Sequence, residues 1–316
     1  MALMALDHAR DFFMGFEPSP TDLESTTPWL FATRWITHLC APAFILLAGV
    51  SAGLAGRMMS RGELARFLAL RGAVLVALEI TVVTFAWIPD PSRSLILLQV
   101  IWAIGWSMML TAPMAFASKK GIAAVGAAMV LSPSWLAGLG LGGPGDASGT
   151  LAVLAFAILA LEAGGGTTLI ISYPVLPWLG VMLLGLALSD VLAEGREVRV
   201  RRCVMLGAVA TAAFEVLRVA GLDGDPTRWA MQGDGVRSVI AFLNAEKYPP
   251  SPAYLLMTLG PALLLLALFG AWPGRAGERW LAPLGRAPLF FYVLHLYALR
   301  AAGLVCAALV WGVDQL

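Results

Sequence analysis

Residues 33–56 read TRWITHLCAPAFILLAGVSAGLAG. After Arg34 the stretch holds no Asp, Glu, Lys or Arg. A helix rises about 1.5 Å per residue, so roughly 20 such residues cross the ~30 Å hydrocarbon core of a bilayer. Outward from it, comparable apolar runs lie at about 1–16, 67–88, 94–117, 121–139, 169–192, 201–221, 252–272 and 286–313. The composition agrees: 59% of residues are hydrophobic and 13% charged, where a soluble domain has about 25% charged. Mean hydropathy is +0.81. In lipid every backbone N–H and C=O must be paired within the protein, which leaves helices or barrel strands. The runs do not alternate with period two and are too long for barrel strands. The expected fold is therefore all-α, a polytopic integral membrane helix bundle of about nine or ten transmembrane helices. It forms one membrane-embedded domain over 1–316. A shorter run at 150–163 would be the tenth span, although at about 14 residues it also suits a re-entrant segment.

The first run, MALMALDHARDFFMGF, starts apolar with no cytoplasmic flank. A signal peptide fits it poorly, because Asp7, His8, Arg10 and Asp11 interrupt the would-be apolar region and no A-x-A site follows. The reading is a first helix that lacks part of its N-terminal half. Orientation follows from Lys and Arg in the short loops. Arg57, Arg61 and Arg66, then Lys119 and Lys120, then Arg196, Arg199, Arg201 and Arg202, then Arg275, Arg279 and Arg286 mark alternate loops, whereas 17–32 has acidic residues only. This puts the N-terminus and the basic loops in the cytoplasm, and the substantial loops 17–32 and 222–251 outside. The net charge of +1 gives no nucleic-acid signal. Cys40, Cys203 and Cys306 sit in apolar runs without CxxC spacing, so neither a disulfide framework nor a metal site is expected.

An ionisable group at membrane depth costs several kcal/mol unless it faces a partner or a wet cavity. All three histidines fall within spans. At about 1.5 Å per residue His8 lies ~12 Å below the outer surface, His38 ~8 Å, and His295 ~14 Å above the inner one. Glu79 also comes out near the midplane, and the four together suggest one polar cavity. His8 and Asp11, three apart, share a helix face, as do Arg34 and His38, four apart. A carboxylate beside a histidine fixes its tautomer and raises its basicity, which makes His8 a general base and Asp11 its orienting partner. The structural alternative is that these pairs only tie helices together. Tyr292 and Tyr297 would satisfy His295 on that alternative. Glu215 and Arg218 read as a structural ion pair. In LNAEKYPPSPAY, at 243–254, Pro249 and Pro250 extend the chain before a helix capped by Ser251. Lys247 and Tyr248 are thereby held at the outer surface, as a substrate clamp or simply as part of a rigid helix start.

P-loop and HExxH motifs are absent, and the glycines at 139–145 and 164–166 lack a strand–turn–helix setting. Five stretches in order do carry a resemblance: LMALDHARDFF, TRWITHLCAPAFILLAGVSAGL, SYPVLPWLGVMLLGLAL, NAEKYPPSPAYLLMTLGPALLLLAL and GRAPLFFYVLHLY. Together they resemble the bacterial heparan-α-glucosaminide N-acetyltransferase-like membrane proteins over nearly the whole chain. The resemblance implies a multi-pass enzyme of a bacterial inner membrane. Acetyl-CoA would be the donor, used from the cytoplasmic side, and an amine or hydroxyl of an outer sugar or glycan the acceptor. It also implies a catalytic histidine, carried to His8. Acyl transfer needs a base for the nucleophile and donors for the developing oxyanion. His8 with Asp11 supplies the first, and His38 or Arg34 the second. Arg34, Glu79, Lys247, Tyr248 and His295 are the expected substrate-binding residues. Titratable groups on several helices also describe a proton-coupled small-molecule transporter, although no internal repeat relates the two halves. Homo-oligomer formation is left open.

Overall fold

A computed structural model describes residues 1–14, 18–92, 94–138, 159–163, 166–272, 274 and 276–311. Helix α1 (Ala2–Met14) is followed by α2 (Pro28–Thr37) and α3 (Cys40–Ala55), which together make one bent apolar span. The Thr27 side chain accepts from the Leu30 N–H to open α2, and Pro28 sits in the first turn, where no intrahelical N–H bond is lost. Helix α4 (Arg61–Leu78) starts with a capping box between Ser60 and Glu63. It runs through a π-helical turn at Glu79–Val83 into α5 (Thr84–Trp87). Strand β1 (Leu95–Leu98), helix α6 (Val100–Thr111), a 3-10 turn at Ala112–Phe116 and helix α7 (Lys119–Gly138) come next. Strands β2 (Leu159–Ala163) and β3 (Thr167–Ile171) lead to α8 (Val175–Leu192) and α9 (Arg196–Ala220). The chain closes with the short α10 (Gly235–Leu243), α11 (Pro252–Ala271), α12 (Ala276–Arg286) and α13 (Pro288–Trp311).

Six described helical segments are long and apolar enough to cross a membrane, at 28–55, 61–87, 175–192, 196–220, 252–271 and 288–310. They coincide with six of the hydropathy runs, and the protein is an all-α polytopic membrane protein. The 20-residue α7 matches the run at 121–139. Helix α1, with 13 residues, is shorter than a bilayer span. The run at 94–117 is divided: its first residues form β1, which pairs in parallel with β3, Leu95 opposite Thr168 and Leu98 opposite Ile171. Most of the 150–163 run lies outside the described residues. Its end is β2, antiparallel to β3, so the sheet order is β1-β3-β2. The apolar LILL of β1 carries no alternation, and such a short run reads equally as helix.

In lipid, apolar faces gain little by leaving hydrocarbon for one another, so helices associate through close packing. Glycines supply that closeness at four crossings among the described residues. Where α3 meets α8, a Cβ on Gly49 would strike the Met182 carbonyl, and one on Gly185 the Leu46 carbonyl. Between α4 and α6, a Cβ on Gly105 would lie 2.7 Å from the Gly72 oxygen. Between α7 and α8, a Cβ on Gly126 or Gly180 would lie 2.9 or 2.8 Å from the other's carbonyl oxygen, and between α9 and α11, one on Gly207 would lie 2.9 Å from the Gly260 oxygen. Around these contacts Ile45, Leu68, Trp178, Met182, Leu183 and Leu255 form the buried centre.

Candidate active site

Asp7 is the hub of a charged network between α1 and α2. Arg34 Nη1 donates to both its oxygens at 3.0 and 2.9 Å, Thr37 Oγ1 donates at 2.7 Å, and Arg10 Nη2 donates at 2.6 Å. The same Arg10 nitrogen donates to Asp11 at 2.9 Å. Asp7–Arg10 and Arg34–Thr37 are both i,i+3 pairs, so one face of each helix meets the other. Two carboxylates and two guanidiniums cancel, which is what lets four mostly buried charges persist at membrane depth. The expectation that Asp11 orients His8 meets a different geometry, since the Asp11 carboxylate is held by Arg10.

His8 reaches instead to the last helix. Its Nδ1 lies 2.7 Å from His295 Nε2. The rings are within 9° of parallel, with centroids 4.9 Å apart. A ring nitrogen lies little more than an ångström from its own centroid. That separation therefore leaves 2.7 Å between nitrogens only if they point at each other in the common plane, edge to edge. Trp87 packs T-shaped on His8, centroid to centroid 5.2 Å. The other His295 nitrogen, Nδ1, lies 2.8 Å from the Phe291 carbonyl oxygen. The tyrosines expected to satisfy His295 do otherwise: Tyr297 donates to the Val82 carbonyl, and the Tyr292 hydroxyl has no partner among the described residues. Arg300 donates to the carbonyls of Ala86 and Trp87 at 3.2 and 2.8 Å, fixing α13 against the end of α5.

His38 sits at the bend between α2 and α3, and Pro42 accounts for the bend. In a continuous helix residue 42 would donate to the His38 carbonyl, but proline has no N–H. The Tyr254 hydroxyl donates to that oxygen instead, at 3.0 Å, repairing a backbone acceptor that lipid could not satisfy. The His38 ring is buried against Tyr254, with Nδ1 unpartnered among the described residues.

The 243–254 segment brings a fifth charge to this network, its third cation. Lys247 is buried, its Nζ 4.8 Å from the Tyr248 ring centroid and 5.5 Å from that of Tyr173. It interacts electrostatically with Asp7, His8 and His38, so it belongs to this layer. Among the described residues it makes no ion pair within 4 Å. Burial pushes the Tyr173 phenol well above its usual range, and the phenol of Tyr248 adds to this. At Tyr248 burial acts the same way, but the Lys247 ammonium and the Arg34 guanidinium outweigh it and hold the phenol below its usual range. The segment is anchored by Arg218 of α9. That residue pairs with Asp223 at 2.7 Å and Asp225 at 3.6 Å and donates to the carbonyls of Thr227, Ala241, Phe242 and Asn244. Asp225 in turn accepts from Ser251 and the Glu246 N–H. The expected partner Glu215 is thereby replaced by two aspartates of the following loop.

Glu79 is committed elsewhere. Its oxygens accept from the Gln99 and Trp102 N–H groups at 3.2 and 3.0 Å, so it caps the start of α6, where the helix dipole favours an anion. The structure thus joins His8, His295, Arg34, Lys247 and Tyr248 in one polar layer with His38 beside it, and gives Asp11 and Glu79 structural partners. Asp7, Thr37, Tyr173, Tyr254 and Trp87 complete the layer. Sequence reasoning missed these five; the i,i+3 spacings to Arg10 and from Arg34 are the signal that could have found Asp7 and Thr37, whereas Trp87 and Tyr254 carry no signal in spacing. Among the described residues no group of three His, Cys, Asp or Glu side chains could hold a metal ion. An apolar cleft of about 650 Å³ opens on a different face of α2, between Phe31, Trp35, Val239 and Ile240. None of the polar-layer residues lines it.

Two comparisons, with curated proteins and with solved structures, give no match. Residues 1–222 match the family described as heparan-alpha-glucosaminide N-acetyltransferase, catalytic. The match takes in α1 to α9, and so His8, Arg34 and His38, and leaves Lys247, Tyr248 and His295 to the remaining part of the chain. With well over half of its length matched, this multi-pass membrane protein belongs to the heparan-alpha-glucosaminide N-acetyltransferase catalytic family, a family of membrane acetyltransferases.

Proposed function

We propose that the protein moves an acetyl group from acetyl-CoA, used from the cytoplasmic side of a bacterial inner membrane, to an amine or hydroxyl of a sugar on the outer side. The observation that carries the reading is the setting of His8. It lies on the first helix of the family match, in a buried layer where the charges of Asp7, Asp11, Arg10 and Arg34 are already paired with one another. His8 takes the proton of the attacking N–H or O–H as that atom bonds to the acetyl carbonyl carbon. The C–S bond then breaks, and the proton passes to the thiolate, so that an acetylated sugar and free thiol leave. Lys247, the cation of the layer without an ion pair among the described residues, meets the charge that builds on the carbonyl oxygen, a kind of contact worth roughly 10²–10³ in rate. Tyr173 and Tyr248 offer flat faces for a sugar ring. His38, with its unpartnered nitrogen, is a further contact for the acceptor.

Support for the orientation comes from the opposite end of the bundle. There Lys119 donates to the Leu186 carbonyl and to Ser189 at 2.8 and 2.9 Å, and Arg57 and Lys119 both lie 3.9 Å from Asp190. That basic end is cytoplasmic by the positive-inside rule. No observation on the described helices favours the carrier reading. The test mixes purified protein with radiolabelled acetyl-CoA and glucosamine-terminated oligosaccharides, beside His8→Ala. Label in the sugar with wild type, reduced roughly 10²–10⁴-fold in the variant, is the expected result. Equal transfer by both proteins, or none by wild type with any sugar, would overturn the reading.

A further inference from the structure

We propose that His295 is a positioning residue that fixes His8 as the tautomer with its proton on Nδ1, leaving Nε2 bare to act as the base. The inference rests on the reading of His8 as that base, and the argument is one of hydrogen-bond polarity. A backbone carbonyl can only accept, so the contact of His295 Nδ1 with the Phe291 oxygen at 2.8 Å puts a proton on that nitrogen. His295 is otherwise surrounded by the rings of Phe291, Tyr292 and His8, with no carboxylate bonded to it among the described residues. Nothing there balances an imidazolium, and a neutral ring protonated on Nδ1 has its lone pair on Nε2. The in-plane contact of 2.7 Å then needs its one proton from His8 Nδ1. Neutral His8 is left with the lone pair on Nε2, the nitrogen that makes no hydrogen bond among the described residues.

The relay runs carbonyl, His295, His8, and it does for the base what a carboxylate does in a triad, without adding a charge to the membrane interior. It also explains why the aspartates of α1 are not bonded to His8: they are spent on arginines, and the orienting partner arrives from α13, 287 residues later. Arg300 and Tyr297, bonded to the carbonyls of Val82, Ala86 and Trp87, hold His295 in place for the part.

The experiment is nitrogen-15 correlation spectroscopy on the full chain labelled at histidine and reconstituted in lipid nanodiscs. Signals are assigned with His38→Gln and His8→Gln. In wild type, His8 is expected protonated on Nδ1 and bare on Nε2, with His295 in the same tautomer. His295→Leu should move the His8 proton to Nε2 and lower acetyl transfer by roughly 10²-fold or more. His295→Gln, whose amide oxygen still accepts, should keep the Nδ1 tautomer and most of the transfer. A wild-type His8 protonated on Nε2, or a tautomer unmoved by His295→Leu, overturns the proposal, and the first needs no variant to fold. Absence of acetyl transfer in wild type would sink the enzymatic reading while leaving the tautomer measurement standing, so the two failures are distinguishable.

Discussion

The glycine crossings of the inner bundle and the polar layer between α1, α2, α13 and the 243–254 segment solve the same problem in opposite ways. At the crossings backbone touches backbone, and nothing in the contact can ionise or change partner. In the polar layer the helices are held by directional bonds between groups that titrate, with Asp7, Asp11, Arg10 and Arg34 matched in sign. A membrane interior rewards the first solution everywhere and permits the second only where a charge finds a partner or faces a polar cavity. The polar layer is therefore the part of the molecule that needs a functional explanation, and the crossings are the frame that lets it stay polar.

The comparison can be broken most severely at a crossing. Gly185→Leu would drive a side chain into the Leu46 backbone, and the expected loss exceeds about 4 kcal/mol, seen as failure to elute as a single species from detergent. Gly62→Ala, in open space on α4, should leave stability unchanged or raise it by up to about 1 kcal/mol. If both variants behave alike, close approach is not what holds the bundle. Next comes the hub: Asp7→Ala leaves two buried guanidiniums short of counter-charge and should cost about 3–5 kcal/mol in thermal unfolding. Adding Arg34→Met should recover part of it, and an unchanged midpoint for the single variant would remove Asp7 from the centre of the network. The mildest test is Tyr254→Phe, expected to cost about 1 kcal/mol by orphaning the His38 carbonyl. Its cost should shrink in a Pro42→Ala background, where residue 42 regains the N–H that the carbonyl lacks. Equal costs in both backgrounds would mean that the hydroxyl does not substitute for the missing backbone bond.

What could be read ahead of the coordinates follows the same division. Length and apolarity found the long helices, because the bilayer imposes one number on all of them. The bend at His38 was also legible in principle, since Pro42 stands four residues after it. The sheet was not, because LILL at 95–98 reads as helix until its partner β3 is known. The site was legible as a set of depths and not as a set of bonds. Depth put Glu79 with the histidines, but depth does not say which way a side chain faces, and Glu79 turns to the start of α6. Spacing put Asp11 beside His8 because residues three apart share a face, yet Asp7, four before Asp11, shares that residue's face as well. Only the position of α2 decides which of the two receives Arg34. The pairing of His8 with His295 spans nearly the whole chain and has no local signature.

Arg218 has a consequence for how the protein is made. The family match stops at residue 222, just after the Gly221 left-handed cap that ends α9. Among the described residues Arg218, near the end of that matched stretch, draws both its counter-charges and all four of its carbonyl partners from residues 223–244. While the ribosome is still adding those residues, α9 carries an uncompensated cation, and it can settle only as the loop closes over it. The matched portion is for that reason no detachable module: the emerging loop is the latch on which its last helix waits.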